Sequence, residues 1–265
     1  MNLHFISGLP RSGSTLLAAI LKQNPHFSAG MSSPVASLYR SLEGAMAHSN
    51  EGAVFVTDAQ RKTILKGLFN SFYGDDCETV FDTNRMWTAR LPALAQLFPS
   101  AKVICCVRDI AWILDSFERL HIRNPFEPSG IYGFETGGTV YSRAHQLAVG
   151  GSGVVGYSMN AMREAMAGDF NDRLLLVEYE DLCKRPDEVI EQVYKFIGEP
   201  LFSHDFSRVE YSASEFDRNI GARGLHDVNG PVVWRPRKTI LPPDLFAQFQ
   251  NDQFWRTPEA IHAAA

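Results

Sequence analysis

The sequence predicts an α/β fold of P-loop-like, three-layer type, with a central parallel sheet flanked by helices. Three observations carry this reading. Leu3 to Ser7 is a short apolar run of strand type that passes through a glycine-bounded turn, residues 8–13, into a helix opening at Ser14. Lys102-Val103-Ile104-Cys105-Cys106-Val107 and Leu174-Leu175-Leu176-Val177 are continuous apolar runs, the pattern of strands buried on both faces. Helical stretches lie between these runs, as crossovers between parallel strands require.

The first turn is the most informative stretch. Leu16, Leu17, Ile20 and Leu21 recur at helical spacing behind it. The first backbone N–H groups of such a helix have no intrahelical partner, and the macrodipole adds partial positive charge there. Strand, turn and helix therefore form a cradle for a phosphate-type anion. Gly8-x-x-x-x-Gly13-Ser14-Thr15 nearly spells a Walker A loop, G-x-x-x-x-G-K-[ST]. Ser14 stands where that loop has lysine, and the positive charge sits instead at Arg11, inside the turn. The cradle is kept while the group that handles a triphosphate is absent or moved.

Bulk properties narrow the rest. A chain of 265 residues fits a single domain. A formal net charge of −5 argues against a general nucleic-acid binder, so the basic residues that matter are local. Cys77, Cys105, Cys106 and Cys183 show no metal-ligand spacing. No apolar run approaches membrane-spanning length, and the first strand starts without a secretory leader ahead of it, so a cytoplasmic protein is expected.

Along the chain, Gln23-Asn24-Pro25 stops the first helix, and a loop follows to Pro34, which opens the next helix with Ser33 as its cap. Thr57-Asp58 starts a helix whose apolar stripe is Ile64, Leu65, Leu68, Phe69 and Phe72. Thr79-Val80-Phe81 reads as a strand emptying into Asp82-Thr83-Asn84-Arg85. Ligands collect at the carboxyl ends of such strands, which makes Asp82 and Arg85 site candidates. A helix is expected over residues 88–98. Arg108-Asp109 ends the next strand, where a Walker B strand would place a magnesium-binding Asp. Ser116 follows eight residues later, so Arg and hydroxyl can share one phosphate monoester. Residues 124–138, rich in Gly, Pro and aromatics, form a long loop suited to covering an acceptor. His121 and His145 flank it as ordinary surface or core histidines. The last sixty residues lack periodicity until Pro242-Pro243, apart from the basic and aromatic Trp234-Arg235-Pro236-Arg237-Lys238-Thr239.

Pro10-Arg11-Ser12-Gly13-Ser14-Thr15-Leu16 resembles the 5′-phosphosulfate loop of sulfotransferases that use 3′-phosphoadenosine 5′-phosphosulfate (PAPS), in the form found in the tyrosylprotein and bacterial branches. Val107-Arg108-Asp109 with Ser116 resembles the same family's 3′-phosphate motif. Val177-x-Tyr179-Glu180-Asp181-Leu182, with Pro186 and Phe196-Ile197-Gly198-Glu199-Pro200, is similar to its later strand–helix unit. The resemblance spans about residues 3–200. It implies one sulfotransferase domain, residues 1–265, whose segment 201–265 closes over the nucleotide. It implies in-line transfer of a sulfuryl group from PAPS to a hydroxyl or amine, with adenosine 3′,5′-bisphosphate released and no metal required. Ser12, Gly13, Ser14, Thr15 and Arg11 would hold the 5′ phosphosulfate, and Arg11 and Arg85 would stabilise the developing charge. Arg85 stands where the family has a lysine. Arg108 and Ser116 would anchor the 3′-phosphate, Tyr179 would contact the nucleotide, and Arg237 or Lys238 would reach a phosphate. The glutamate base of the tyrosylprotein enzymes has no counterpart at Met31-Ser32-Ser33, so either the base comes from elsewhere or the acceptor is not a tyrosine hydroxyl; Asp82 is the first candidate base because of where its strand ends. Two other classes stay open: a P-loop kinase or NTPase, and a silent nucleotide-binding member. The acceptor and the oligomeric state are undetermined.

Overall fold

The computed structural model describes residues 1–74, 77–135, 137–149 and 151–256, so the end of the expected C-terminal segment lies outside the described residues. Its centre is a five-stranded parallel sheet of β1 (Asn2–Gly8), β2 (Phe27–Ala29), β3 (Thr79–Thr83), β4 (Val103–Val107) and β5 (Leu174–Glu178). The spatial order is β2-β3-β1-β4-β5. The chain builds first on one side of β1 and then on the other, which puts the topological switch between β1 and β4.

Alternation along each strand feeds two cores. Leu3, Phe5, Val103 and Cys105 point to one face, against the helices Val35–Ala45, Asp58–Tyr73 and Leu91–Leu97. Ile6, Ile104 and Cys106 point to the other, against the helices Ser14–Leu21 and Pro186–Ile197. Helices on both faces explain why these strands read as unbroken apolar runs. A third cluster packs the helices Ile110–Arg123, Val140–Ala148 and Val154–Ala167 around Leu9 and Val107, beside the switch point. Cys105 and Cys106 are buried free thiols, and burial raises both pKa values, Cys105 to about 11.

Three local expectations change. The helix expected over 88–98 is two short helices, Met86–Ala89 and Leu91–Leu97, because Pro92 has no N–H for the carbonyl a turn earlier. The stripe of the helix Asp58–Tyr73 buries only Leu65 and Phe69, leaving Ile64 and Phe72 at the surface. The segment after residue 200 contains an antiparallel pair, β6 (Val209–Tyr211) and β7 (Val228–Gly230), with the helix Ser214–Asn219 between them. Val209 and Val228 pack on the core beside the helix Ser14–Leu21, so this excursion returns to the first turn.

Candidate active site

A cleft of about 720 Å³ opens over the carboxyl ends of β1 and β4, a size ordinary for a small-molecule site. Its floor is the turn after β1. Gly8 has φ 96°, and a Cβ there would lie 2.3 Å from the Cys106 carbonyl oxygen, so the turn must pass this close to β4. Arg11 has φ 56°, a left-handed conformation that a non-glycine residue adopts at a cost. Gly13 caps the helix Ser14–Leu21 without any side-chain hydrogen bond, so that helix start has no side-chain cap. Ser14 and Thr15 line the cleft beside it. Ser12 does not, since its hydroxyl donates inward to the carbonyls of Leu9 and Cys106 and braces the turn.

Four arginines line the cleft: Arg11, Arg85, Arg108 and Arg237. Arg11 donates from Nε to Ser116 Oγ at 3.1 Å and from Nη1 to the Leu225 carbonyl. Burial, and then the charge of Arg108, lower its pKa to about 10. Arg108 is itself buried, reaches the Arg11 carbonyl at 3.5 Å and stacks 4.1 Å over the Tyr179 ring. Among the described residues its Nε has no hydrogen-bond partner, and Glu180 faces it at 3.7 Å. Arg85 presents its surface to the cleft, where the surrounding walls desolvate it and lower its pKa. The arrangement concentrates positive charge at an uncapped helix start.

Arg237 comes from the far end of the chain and pairs with Asp115 at 2.7 Å. Asp115 is fully buried and also accepts from Arg119, Thr239 and the Ile240 N–H, which pins the basic segment to the helix Ile110–Arg123. Arg237 thereby faces the cleft. Lys238 does not line it, and its carbonyl accepts from Arg119.

The structure moves Asp82 out of the candidate site. It lies on β3 level with Phe5, and its carboxylate turns onto the face of the sheet. It is fully buried and accepts from Ser33 at 2.7 Å, Tyr73 at 2.5 Å and Trp87 at 2.7 Å. Burial raises its pKa, against the pull of those three donors. A carboxylate with no open side cannot take a proton from a ligand in the cleft. Ser33 also accepts from the Val35 N–H, at the helix start where it was expected.

An Asp–His pair reaches the cleft instead. Asp217, fully buried on the helix Ser214–Asn219, faces His226 Nδ1 at 2.5 Å and accepts from its backbone N–H at 2.9 Å. His226 lines the main cleft and also, with Ser14, Thr15, Ser32 and Arg85, a small adjoining cavity. Its pKa is lowered chiefly by burial, and Arg11 and Arg85 lower it further while Asp217 raises it. The result is a neutral, oriented imidazole beside two arginines. Nothing in the spacing of Asp217 and His226 marks them in the sequence, because the two lie nine positions apart within the irregular connection, residues 212–227, between β6 and β7.

With this geometry in hand, comparison with known proteins places the chain. The model of the sulfotransferase family matches residues 4–204, and the chain belongs to that family. It is 25% identical over 211 residues to a protein-tyrosine sulfotransferase of Drosophila melanogaster, a match that covers 76% of this chain and 38% of that protein. Among solved structures, the sulfotransferase domain from the curacin biosynthetic pathway aligns with a TM-score of 0.52 at 17% identity, over 99% of this chain and 96% of that one. A sulfotransferase from Alicyclobacillus acidocaldarius aligns at 0.50 and 14% identity, over 92% and 87%. These two likenesses bear on the fold, which is the three-layer α/β arrangement expected from the sequence. Among the described residues no helix is long and apolar enough to cross a membrane, and no cluster of His, Cys, Asp and Glu could hold a metal ion.

Proposed function

We propose that the protein transfers a sulfuryl group from PAPS to a hydroxyl or amine acceptor and releases adenosine 3′,5′-bisphosphate. The observation that carries this reading is the meeting of Arg11 and Arg108, from motifs 97 residues apart, at an uncapped helix start. Two like charges crowded there are stabilised by an anion with two separated phosphate groups. PAPS supplies the sulfuryl group and a bisphosphate leaving group. The turn at residues 11–15 holds the 5′ phosphosulfate, and Arg108 with Ser116 holds the 3′-phosphate. Tyr179 carries the Arg108 stack, and Arg237 reaches the nucleotide from above. Arg11 and Arg85 stabilise negative charge on the bridging and sulfuryl oxygens as it develops.

His226 takes the acceptor's proton on Nε2, while Asp217 holds Nδ1–H and steadies the imidazolium that forms. The acceptor oxygen or nitrogen forms its bond to sulfur as the sulfur–oxygen bond to the 5′ phosphate breaks, and the leaving bisphosphate keeps that electron pair. The arginines that depress the His226 pKa are the ones the donor neutralises, so donor binding makes the imidazole a better base. Calorimetric titration tests the reading. Adenosine 3′,5′-bisphosphate in chelator is expected to bind at least tenfold more tightly than ATP with Mg²⁺, roughly the 1.4 kcal/mol of one charge-assisted contact. Preference for ATP with Mg²⁺ would replace this reading with a kinase or NTPase.

A further inference from the structure

Beyond the donor loop the cleft changes character. One wall carries Ile131 and Phe134 from the loop after the helix Ile110–Arg123, and Phe216, Ile220 and Leu225 from the segment between β6 and β7. Phe134 is 59% exposed and Phe216 42%, yet both face this concavity. Large apolar side chains left open in a cleft mark a surface that a ligand covers.

The wall is pre-formed. Gly130 N–H donates to the Ile220 carbonyl at 2.8 Å, and Arg223 pairs with Glu127 at 2.6 Å. Gly221 has φ 64°, and a Cβ there would lie 2.3 Å from the Pro128 carbonyl oxygen, so the two segments meet backbone to backbone. The Phe216 ring stands edge-on to the His226 ring, 5.5 Å between centroids. A ligand lying on Phe216 therefore places its near end at the imidazole.

We infer that the acceptor is a small uncharged alcohol with an apolar body, lying on Phe134, Phe216 and Ile220 with its hydroxyl at His226. This deepens the sulfotransfer reading and rests on it. Charge supports the choice. Arg11, Arg108 and Arg237 are engaged with Ser116, Glu180 and Asp115, at the donor end of the cleft. Arg85 sits with His226 in the adjoining cavity, and beside the apolar wall Asp227 lines the cleft while Glu127 is paired with Arg223 at the rim. An acidic peptide would meet Asp227 there and would have to displace Glu127 to reach Arg223. A sugar would bring hydroxyls against side chains that offer them no partner.

The test is calorimetry on protein preloaded with adenosine 3′,5′-bisphosphate, titrated with 2-naphthol and, separately, with an acidic tyrosine-containing peptide. The naphthol is expected to bind about tenfold more tightly than the peptide, and Phe134→Ser to weaken it by about tenfold, the worth of a lost apolar contact. Phe134→Ser and Phe216→Ser are both expected to keep the bisphosphate affinity, which shows that each variant is folded. Tighter binding of the peptide, or naphthol affinity indifferent to both variants, overturns the inference and leaves sulfotransfer standing. Failure of the bisphosphate to bind removes the sulfotransfer reading and this inference with it.

Discussion

Asp82 and Asp217 are equally buried, each with no exposed surface, and each carboxylate is hydrogen-bonded. They differ in what stands between them and the cleft. The three donors on Asp82 are Ser33, Tyr73 and Trp87, all on one face of the sheet, and the carboxylate closes a packed region. Among the described residues, the side-chain partner of Asp217 is the His226 ring, which lines the cleft. A buried carboxylate thus becomes part of a site through the residue it orients, and its position at a strand end is not enough. The same contrast separates Ser12, whose hydroxyl braces the turn, from Ser14, which faces the cleft.

Substitutions can break or sharpen this contrast. The largest effect is expected at the dyad. His226→Ala should lower kcat for transfer from PAPS to a phenol about 10²–10⁴-fold, the range for removing a general base. Asp217→Asn should fall nearly as far, because the ring loses its orienting acceptor. Bisphosphate affinity measured by calorimetry should survive both changes, and its loss would recast the pair as a structural brace. Arg108→Ala should come next, weakening bisphosphate binding about tenfold to a hundredfold with little change in thermal stability. Arg85→Ala should lower turnover more than bisphosphate affinity. Asp82→Asn belongs on the other side of the comparison. It should cost about 1–3 kcal/mol of stability in denaturant unfolding, because an amide N–H₂ would face a donor. Turnover well below the melting temperature should persist, and a collapse of turnover in a stable Asp82→Asn protein would return that residue to the site. The smallest effect is expected from Lys238→Ala, whose bisphosphate affinity should match the unchanged protein while Arg237→Ala weakens it.

The pH dependence carries a sign. His226 accepts a proton only when neutral, and its pKa lies below the ordinary 6.5. The kcat/KM for the donor, which reports the free protein, should therefore be full at neutral pH and fall as pH drops through that lowered value, and the fall should be absent from the residual activity of His226→Ala.

The arginine-lined floor of the cleft was legible in the sequence because its parts are local. A strand, a glycine turn and a helix start are contiguous, and Arg108 and Ser116 lie on one strand end and the helix that follows it. The parallel sheet was legible in its unbroken apolar runs for the same reason. The Asp217–His226 contact was not, since it is made inside the connection between β6 and β7 and follows no repeating spacing. No short-range pattern records such a contact. Asp82 misled for the complementary reason. A strand end shows that a residue is near the crevice, but pleat alternation decides whether its side chain points out of the end or onto a face.

The most direct test of donor site and base as one electrostatic unit is the His226 ring titration followed by NMR, with and without adenosine 3′,5′-bisphosphate. The His226→Gln protein assigns the signal. A pKa below 6.5 in the free protein, moving upward when the bisphosphate neutralises Arg11 and Arg85, is the predicted result. A pKa at or above the ordinary value that the bisphosphate leaves unmoved would contradict it.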